Sequence, residues 1–253
     1  YLNSAFQVND SNPVLLDRFL DIAIEFDVEA ISDGEEIVIC GILQHIEQAG
    51  VHSGDSACSI PPYDISESVI TKIKEEVNKV ISNMKIVGLV NVQLAYVNDQ
   101  VYLLEVNPRA SRTIPFVSKA LGIPLARIAA RVMAGKSLKE LNFKGVPNIK
   151  GFCVKEAVMP FNKFQNVDPI LGPEMRSTGE VMGSHVRPAA AYLKARMATE
   201  LPVPTSGGVY ITVKDEDKSG TIELAKRLQD MGFKIHATPC LLYTSDAADD
   251  FTS

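Results

Sequence analysis

The chain has 253 residues and a net charge of −6, with 46% hydrophobic and 22% charged residues. These values are typical of a globular protein with one large or two medium domains. Because no basic stripe, membrane-length apolar run or signal-like N-terminus stands out, we expect a cytoplasmic protein with neither a nucleic-acid nor a membrane partner. The four cysteines are scattered without a CxxC pair, which indicates reduced thiols rather than a zinc site.

The first regular pattern predicts a β-hairpin. The segment IEFDVEAI alternates in polarity and predicts the first strand. Asp33-Gly34 indicates a type I′ turn, and EIVICGIL is the predicted second strand. Glu25 and Asp27 share one face of the first strand. A solvated sheet face explains these two carboxylates as readily as a ligand contact does.

The loop QAGVHSGDSACSIPPY follows, rich in glycine, serine and aspartate. Small residues let backbone N–H groups approach an anion or a ribose closely, and His52 adds a ring nitrogen. The alternative is a plain connection in which Asp64 or Ser66 caps the next helix. Apolar residues at helical spacing predict that helix over 65–84.

The central feature is a second hairpin, NVQLAYVNDQVYLLEVNPRASRTIPF, running from Asn91 to Phe116. Glu105 and Asn107 lie on one face of its second strand, and Gln93 of the first strand can reach that face. One carboxylate and two amides suit a Mg²⁺ ion that also holds nucleotide phosphates, with Arg109 just past the strand end. The alternative is a solvated strand face. Glu105 interrupts an apolar run in which an unpaired carboxylate would be costly to bury, and this favours the metal site.

The remaining elements follow in order. Helices are predicted over 116–121 and 124–133, then a polar connector over 136–150 and a strand over 151–160. The irregular stretch that follows includes Pro173–Glu180, whose mixture of charged and turn-forming residues could order around the site. After a helix over 187–201, a strand–helix–strand pattern begins at Val209. The fold class expected is α/β, with an antiparallel sheet followed by the start of an open parallel α/β unit.

At this point a family resemblance becomes specific. The stretches HIEQAGVHSGDSACSIP, EVNPRASRTIPFVSKALGIPLARIAARVMAGKSL and KEAVMPFNKFQNVDPILGPEMRSTGEVMG resemble the carbamoyl-phosphate synthetase large chain. They are most similar to the later part of its second ATP-grasp unit, passing into a regulatory domain of methylglyoxal-synthase type. The resemblance implies an ATP-grasp part over 1–145, the remainder of the synthetase unit over 146–200 and a truncated regulatory domain over 201–239. The stretch 240–253 is expected to be a non-native tail.

The resemblance also implies roles for individual residues. The ligands of an ATP-bound Mg²⁺ or Mn²⁺ would be Gln93, Glu105 and Asn107, of which Gln93 and Glu105 also count as ATP-binding. Arg109 would face the transferring phosphoryl group, with the second catalytic arginine, Arg112, close by. The ribose contact would be Glu25. The positions lining the rest of the nucleotide would be Arg18, Leu20, Gly50, Val51, His52 and Ser53.

The activity implied is phosphorylation of carbamate by ATP, giving carbamoyl phosphate for arginine and pyrimidine synthesis. The carbamate would derive from bicarbonate, and a glutaminase subunit or domain would supply ammonia from glutamine to an oligomeric enzyme. Because the glycine-rich front of the ATP-grasp unit is missing, we expect the segment alone to be inactive. Two alternatives remain: another ATP-grasp ligase, such as a biotin-carboxylase-like or carboxylate–amine ligase, or a non-catalytic nucleotide-binding module.

Overall fold

The computed structural model describes residues 13, 16–20, 22–161, 169–199 and 203–242. The chain forms two compact units, Tyr1–Leu201 and Pro202–Ser253. In these described ranges, no helix is both long and apolar enough to cross a membrane.

The first unit is built on a seven-stranded antiparallel sheet. Its strands are β1 (Ile24–Asp33), β2 (Ile37–His45), β3 (Cys58–Ile60), β4 (Val87–Val97), β5 (Gln100–Asn107), β6 (Phe152–Val158) and β7 (Gly179–His185). They lie in the order β5-β4-β1-β2-β3-β6-β7. The regions 1–145 and 146–200 therefore contribute to one sheet, because β6 pairs with β3.

Helices cover both faces of this sheet. Helix α1 (Glu67–Met84) buries Val69, Ile73, Val77 and Ile81, whose spacing of four places them on one helix face. They pack against the alternate residues Phe26, Val28 and Ala30 of β1. Helices α2 (Ile114–Leu121) and α3 (Leu125–Met133) pack into a separate apolar cluster that includes Ile31, Leu43 and Leu89. The predicted helix over 65–84 and the predicted helix pair are confirmed.

The two predicted hairpins are present, but their turns differ. At the β4–β5 turn, Asn98 and Asp99 both have positive φ, as a type I′ turn requires. At the β1–β2 turn, Gly34 alone has positive φ, so the predicted type I′ turn is wrong there. Asp33 Oδ1 accepts the backbone N–H groups of Glu35 and Glu36 at 3.0 and 2.7 Å, and this side-chain bonding stabilises a longer turn.

Two strands were missed by the sequence analysis. The short strand β3 lies inside the stretch interpreted as a loop, and β7 lies inside the stretch interpreted as irregular. Strand β7 pairs along its whole length with β6, and helix α4 (Pro188–Ala198) packs on this pair. The sequence GEVMGSH contains glycines and polar residues and lacks the alternation of apolar and polar residues that predicts a strand.

Gly183 marks a very close approach of β7 to α4. A Cβ atom at this position would lie 2.2 Å from the carbonyl oxygen of Ala191 and 2.4 Å from the amide nitrogen of Ala195. Because both are backbone atoms, neither can move aside without moving the helix. We expect Gly183→Ala to lower the free energy of opening of β7 and α4 by about 3 kcal/mol, since overpacking a filled site costs about this much.

Amide hydrogen exchange in the complete chain checks this prediction. Gly145→Ala is the matched control, because a Cβ atom at position 145 would meet nothing within 4 Å. Equal protection of β7 and α4 in the two variants would show that the close packing of Gly183 does not support this layer.

The second unit has a parallel strand–helix–strand arrangement, as predicted. Strands β8 (Gly208–Ile211) and β9 (Lys234–Ala237) pair in parallel, joined by a short 3₁₀ turn (Asp215–Asp217) and helix α5 (Lys218–Asp230). A short helix, α6 (Pro239–Leu242), extends into the predicted tail, and its Leu241 packs with Ile211 and Ala225. The rest of the predicted tail, 243–253, lies outside the described residues. The predicted α/β fold class is confirmed.

Candidate functional site

Polar residues of three neighbouring strands share one face of the large sheet. Across the strands, Asp27 of β1 pairs with Gln93 of β4, which pairs with Glu105 of β5. In the next row, Asn91 of β4 pairs with Asn107 of β5. Directly paired residues project from the same face, so this face carries a continuous polar strip.

The three predicted metal ligands lie together on this strip. Gln93 donates through Nε2 to Ser53 Oγ at 3.1 Å, which leaves its amide oxygen for another partner. The Nδ2 atom of Asn107 is buried with no hydrogen-bond partner among the described residues, and the two ends of an amide are equivalent in shape. One carboxylate and two amides form a donor set that fits Mg²⁺ or Mn²⁺.

One premise of the metal-site prediction is wrong. The carboxylate of Glu105 was expected to interrupt a buried strand, whereas β5 is an edge strand and Glu105 is exposed. Strand β5 also exposes the neighbouring side chains Tyr102, Leu103 and Leu104. The apolar run of β5 therefore does not indicate burial. The prediction of a metal site depends instead on the position of Gln93, Glu105 and Asn107 on one face of the sheet.

The predicted nucleotide loop, residues 50–53, contacts the same strip. Gly50 has φ +93°, a conformation that L side chains rarely adopt, and its N–H donates to Glu25 Oε1 at 3.0 Å. The buried Lys155 Nζ of β6 donates to the carbonyl oxygen of Ser53 at 3.0 Å. The ring nitrogen Nδ1 of His52 accepts the N–H of Gly54 at 3.0 Å. The structure thus brings Glu25 and the loop together and adds Lys155, which the sequence analysis missed.

The segment that carries Arg18 and Leu20 lies next to this loop. Phe19, between them, approaches so closely that a Cβ atom on Gly50 would lie 3.0 Å from its Cε2 atom. Arg18 is exposed and Leu20 is half-buried. The loop glycine thus makes room for the Phe19 ring.

His45 is a second residue that the sequence analysis missed. Its Nε2 lies 3.0 Å from Asp27 Oδ2 and its Nδ1 lies 3.3 Å from Glu25 Oε2. Burial alone would lower the pKa of His45, but contacts with Cys58, Asp27 and Glu25 raise it well above its ordinary value. Burial would raise the pKa of Asp27, yet the hydrogen bond and charge of His45 lower it. Both shifts favour the charged forms of the two groups.

The ligand atoms of Asp27, His45 and Cys58 also lie within 4.8 Å of one another, a spacing that could hold a metal ion. However, the imidazole and the Asp27 carboxylate already satisfy each other, and Cys58 Sγ contacts the carbonyl oxygen of Ser56 at 3.5 Å. The ion pair accounts for this cluster without an ion.

The two predicted catalytic arginines differ in their surroundings. Arg112 Nη1 donates to Ser177 Oγ at 3.2 Å, and its Nε lies 3.7 Å from Glu180 Oε1. Arg109 is exposed, and its side chain makes no hydrogen bond or ion pair with any residue that the structure describes. Arg112 is therefore held in place by protein partners, whereas the guanidinium of Arg109 is available to an anion.

The segment Pro173–Glu180 does order against Gly54 and Asp55, which directly follow the predicted nucleotide loop. Asp55 accepts the backbone N–H groups of Arg176 and Ser177 at 2.7 and 2.8 Å, and Ser177 Oγ donates to the carbonyl oxygen of Gly54 at 2.9 Å. Asp55 and Ser177 are 122 residues apart in the chain, so no local pattern could reveal their contact.

Comparison with known proteins places these features in a family. A family model described as "Carbamoyl-phosphate synthase L chain, ATP binding domain" matches residues 2–141. Over 240 residues the chain is 55% identical to a protein of Pseudomonas syringae pv. tomato named "Carbamoyl phosphate synthase large chain". Proteins of the same name from Vibrio vulnificus and Methanothrix thermoacetophila are 53% and 50% identical over 238 residues. Each match covers 94% of this chain and 22% of the relative.

A solved structure shares the fold. The "Biotin Carboxylase domain of single-chain bacterial carboxylase" matches with a TM-score of 0.51 and 17% sequence identity, covering 62% of this chain and 36% of that one. At this identity the match concerns the fold alone.

Proposed function

The chain belongs to the carbamoyl-phosphate synthase large-chain family, and we propose that it forms part of the site that phosphorylates carbamate with ATP. In this reaction a carbamate oxygen attacks the γ-phosphorus of ATP, and carbamoyl phosphate and ADP are the products. The chain spans 22% of the length of its curated relatives, so the activity is assigned to the complete protein that contains this segment.

A single observation carries this proposal. The Gln93–Ser53 hydrogen bond joins the predicted nucleotide loop to the proposed metal-ligand set, and Arg109 lies two residues beyond the end of the strand that carries Glu105 and Asn107. Phosphoryl transfer depends on positioning and charge neutralisation more than on covalent chemistry, so such an arrangement is what the reaction needs.

Roles follow from the chemistry of each group. Gln93, Glu105 and Asn107 would hold Mg²⁺ or Mn²⁺, which when bound neutralises charge on the phosphates. Glu25, with residues 50–53 and with Arg18 and Leu20, would hold the ribose and the base. Arg109 would face the transferring phosphoryl group, and Arg112, held by Glu180 and Ser177, would lie beside it.

The proposal extends to the supply of substrates and to regulation. Bicarbonate would be the source of the carbamate, and a glutaminase subunit or domain would supply ammonia from glutamine. The complete enzyme would be an oligomer in the cytoplasm. Its product, carbamoyl phosphate, would serve arginine and pyrimidine synthesis. The strand–helix–strand unit beginning at β8 would belong to a regulatory domain that binds an effector.

The reverse reaction tests this function directly. The complete protein, given carbamoyl phosphate, ADP and Mg²⁺, is expected to form ATP without bicarbonate or glutamine. Removing the metal with a chelator should stop ATP formation, and restoring Mg²⁺ or Mn²⁺ should recover it, because the phosphate charges would otherwise stay unneutralised.

Other outcomes would assign the segment differently. Bicarbonate-dependent ATP hydrolysis without ATP formation from carbamoyl phosphate would indicate another ATP-grasp ligase reaction. Nucleotide binding with no turnover under either condition would indicate a non-catalytic binding module.

A further inference from the structure

Glu29 is a completely buried carboxyl group whose hydrogen bonds come from two distant parts of the chain. It lies on β1 opposite Asn91 of β4, which donates to its Oε1 through Nδ2 at 2.8 Å. The same oxygen accepts hydrogen bonds from Ser111 Oγ and Thr113 Oγ1. A buried carboxyl group needs a hydrogen-bond donor, and Asn91 supplies one from the neighbouring strand. The two hydroxyl donors come from elsewhere, namely from the segment between β5 and α2.

We call this segment, residues 108–113, the arginine loop, because it carries Arg109 and Arg112. Ser111 and Thr113 flank Arg112 on either side. Their bonds to Glu29 therefore attach the backbone to β1 immediately before and immediately after that arginine. The loop also begins directly after Asn107, one of the proposed metal ligands.

Thr113 occupies the N-cap position of α2, yet its side chain caps no backbone N–H group of the helix. An N-cap threonine ordinarily accepts a hydrogen bond from the first turn and stabilises its helix in that way. Here Thr113 Oγ1 donates to Glu29 instead. The hydroxyl thus attaches the loop to the sheet and leaves the helix start uncapped.

The packing of α2 brings its start close to Glu29. Gly41 of β2 pairs with Glu29, and a Cβ atom at Gly41 would lie 3.2 Å from Val117 Cγ1 of α2 and 2.7 Å from Ile60 Cδ1. The absent side chain lets α2 approach the sheet beside the carboxyl group.

The contact requires an accepting oxygen rather than a charge. Ser111 Oγ and Thr113 Oγ1, which lie 2.6 Å from each other, each donate their one hydroxyl proton to Glu29 Oε1, and the amide oxygen of a glutamine would accept in the same way. Burial, with the nearby charge of Asp27 adding to it, raises the pKa of Glu29 to about 7, and its Oε2 has no partner among the described residues.

We propose that Glu29 is a positioning residue that holds the arginine loop through Ser111 and Thr113, so that Arg109 and Arg112 face the phosphoryl-transfer site. The role of the loop in phosphoryl transfer rests on the proposed function. The attachment of the loop to Glu29 does not depend on that function. Because the contact requires an accepting oxygen rather than a charge, glutamine should replace Glu29, whereas alanine should release the loop.

The test uses the complete protein and its ATP formation from carbamoyl phosphate and ADP. Glu29→Ala is expected to lower kcat about 10- to 100-fold, as loss of a group that orients functional residues does, with the KM for ADP unchanged within about twofold. Glu29→Gln is expected to restore kcat to within about threefold of the native value. Ser111→Ala combined with Thr113→Val should reproduce the loss and add little to Glu29→Ala, since all three act through one contact.

Val28→Ala is the matched control. Val28 is equally buried on the same strand but packs toward α1, so its truncation destabilises β1 without touching the arginine loop. Amide hydrogen exchange over residues 109–117 should rise in Glu29→Ala and not in Val28→Ala, and this readout does not depend on turnover. If Glu29→Ala fails to fold, the single variant Ser111→Ala answers the same question.

The outcomes separate this inference from the proposed function. A native protein that forms no ATP would remove the proposed function, and the exchange data would still decide whether Glu29 holds the loop. A native protein that forms ATP, with unchanged kcat and exchange in Glu29→Ala, would overturn the inference alone. An equal loss of kcat in Val28→Ala and Glu29→Ala would reduce Glu29 to a purely structural role.

Discussion

Glu105→Gln in the complete protein is expected to lower the rate of ATP formation from carbamoyl phosphate and ADP by about 1,000-fold. The change preserves the size of the side chain but removes the single carboxylate of the proposed metal-ligand set. A metal ion on a phosphoryl group contributes several kcal/mol, and about 4 kcal/mol corresponds to a thousandfold in rate. Because Glu105 is exposed on an edge strand, the variant should remain folded.

Glu76→Gln provides the control for Glu105→Gln. Glu76 is a half-exposed carboxylate on α1, and among the described residues it forms an ion pair only with the exposed Lys79, so its neutralisation should change neither rate nor fold. A direct measurement of Mn²⁺ affinity in the presence of ADP should show weaker binding in Glu105→Gln and in Asn107→Ala. Native turnover in Glu105→Gln would remove Glu105 from the site.

Arg109→Ala is expected to produce a loss of similar size, about 1,000-fold in kcat, because an arginine facing a transferring phosphoryl group contributes at least this much. Its guanidinium makes no hydrogen bond or ion pair with the described part of the chain, so its removal leaves no buried partner behind. Arg109→Lys should recover only part of the rate, since an ammonium group cannot present two parallel N–H donors.

Arg131→Ala is the control for this variant, because Arg131 is an exposed arginine on α3 and is not part of the arginine loop. Single-turnover kinetics would separate the chemical step from binding. If Arg109→Ala raised only the KM for carbamoyl phosphate and left kcat intact, Arg109 would bind the substrate without stabilising its transition state.

The proposed metal ligands were accessible to sequence analysis because they lie on adjacent strands of one hairpin. Period-2 alternation assigns Glu105 and Asn107 to one face, and the Asn98-Asp99 turn indicates the hairpin. The turn alone would place Gln93 opposite Leu104, and a register shift between Gln93 and Leu94 brings it opposite Glu105 instead. The assignment as metal ligands remains a prediction, and the argument from burial of Glu105 was wrong because β5 is a sheet edge. Periodicity indicates which side chains share a face, but not whether that face is covered.

Strand β7 was missed for a related reason. Its sequence, GEVMGSH, has few β-branched or aromatic residues, and its strand conformation depends on pairing with β6 and on the packing of α4 over Gly183. Local propensity there is weak, so tertiary contacts decide the structure.

By itself, the sequence determined the strands and helices with strong periodicity, the presence of the central hairpin, and the family to which the chain belongs. Only the tertiary structure decided the contacts between distant segments. It joined Glu25 to Gly50 across 25 residues, and Glu29 to Ser111 across 82. The physical reason is that local periodicity records which face of a strand is apolar, whereas the order of strands in a sheet depends on the burial and hydrogen bonding of the whole unit.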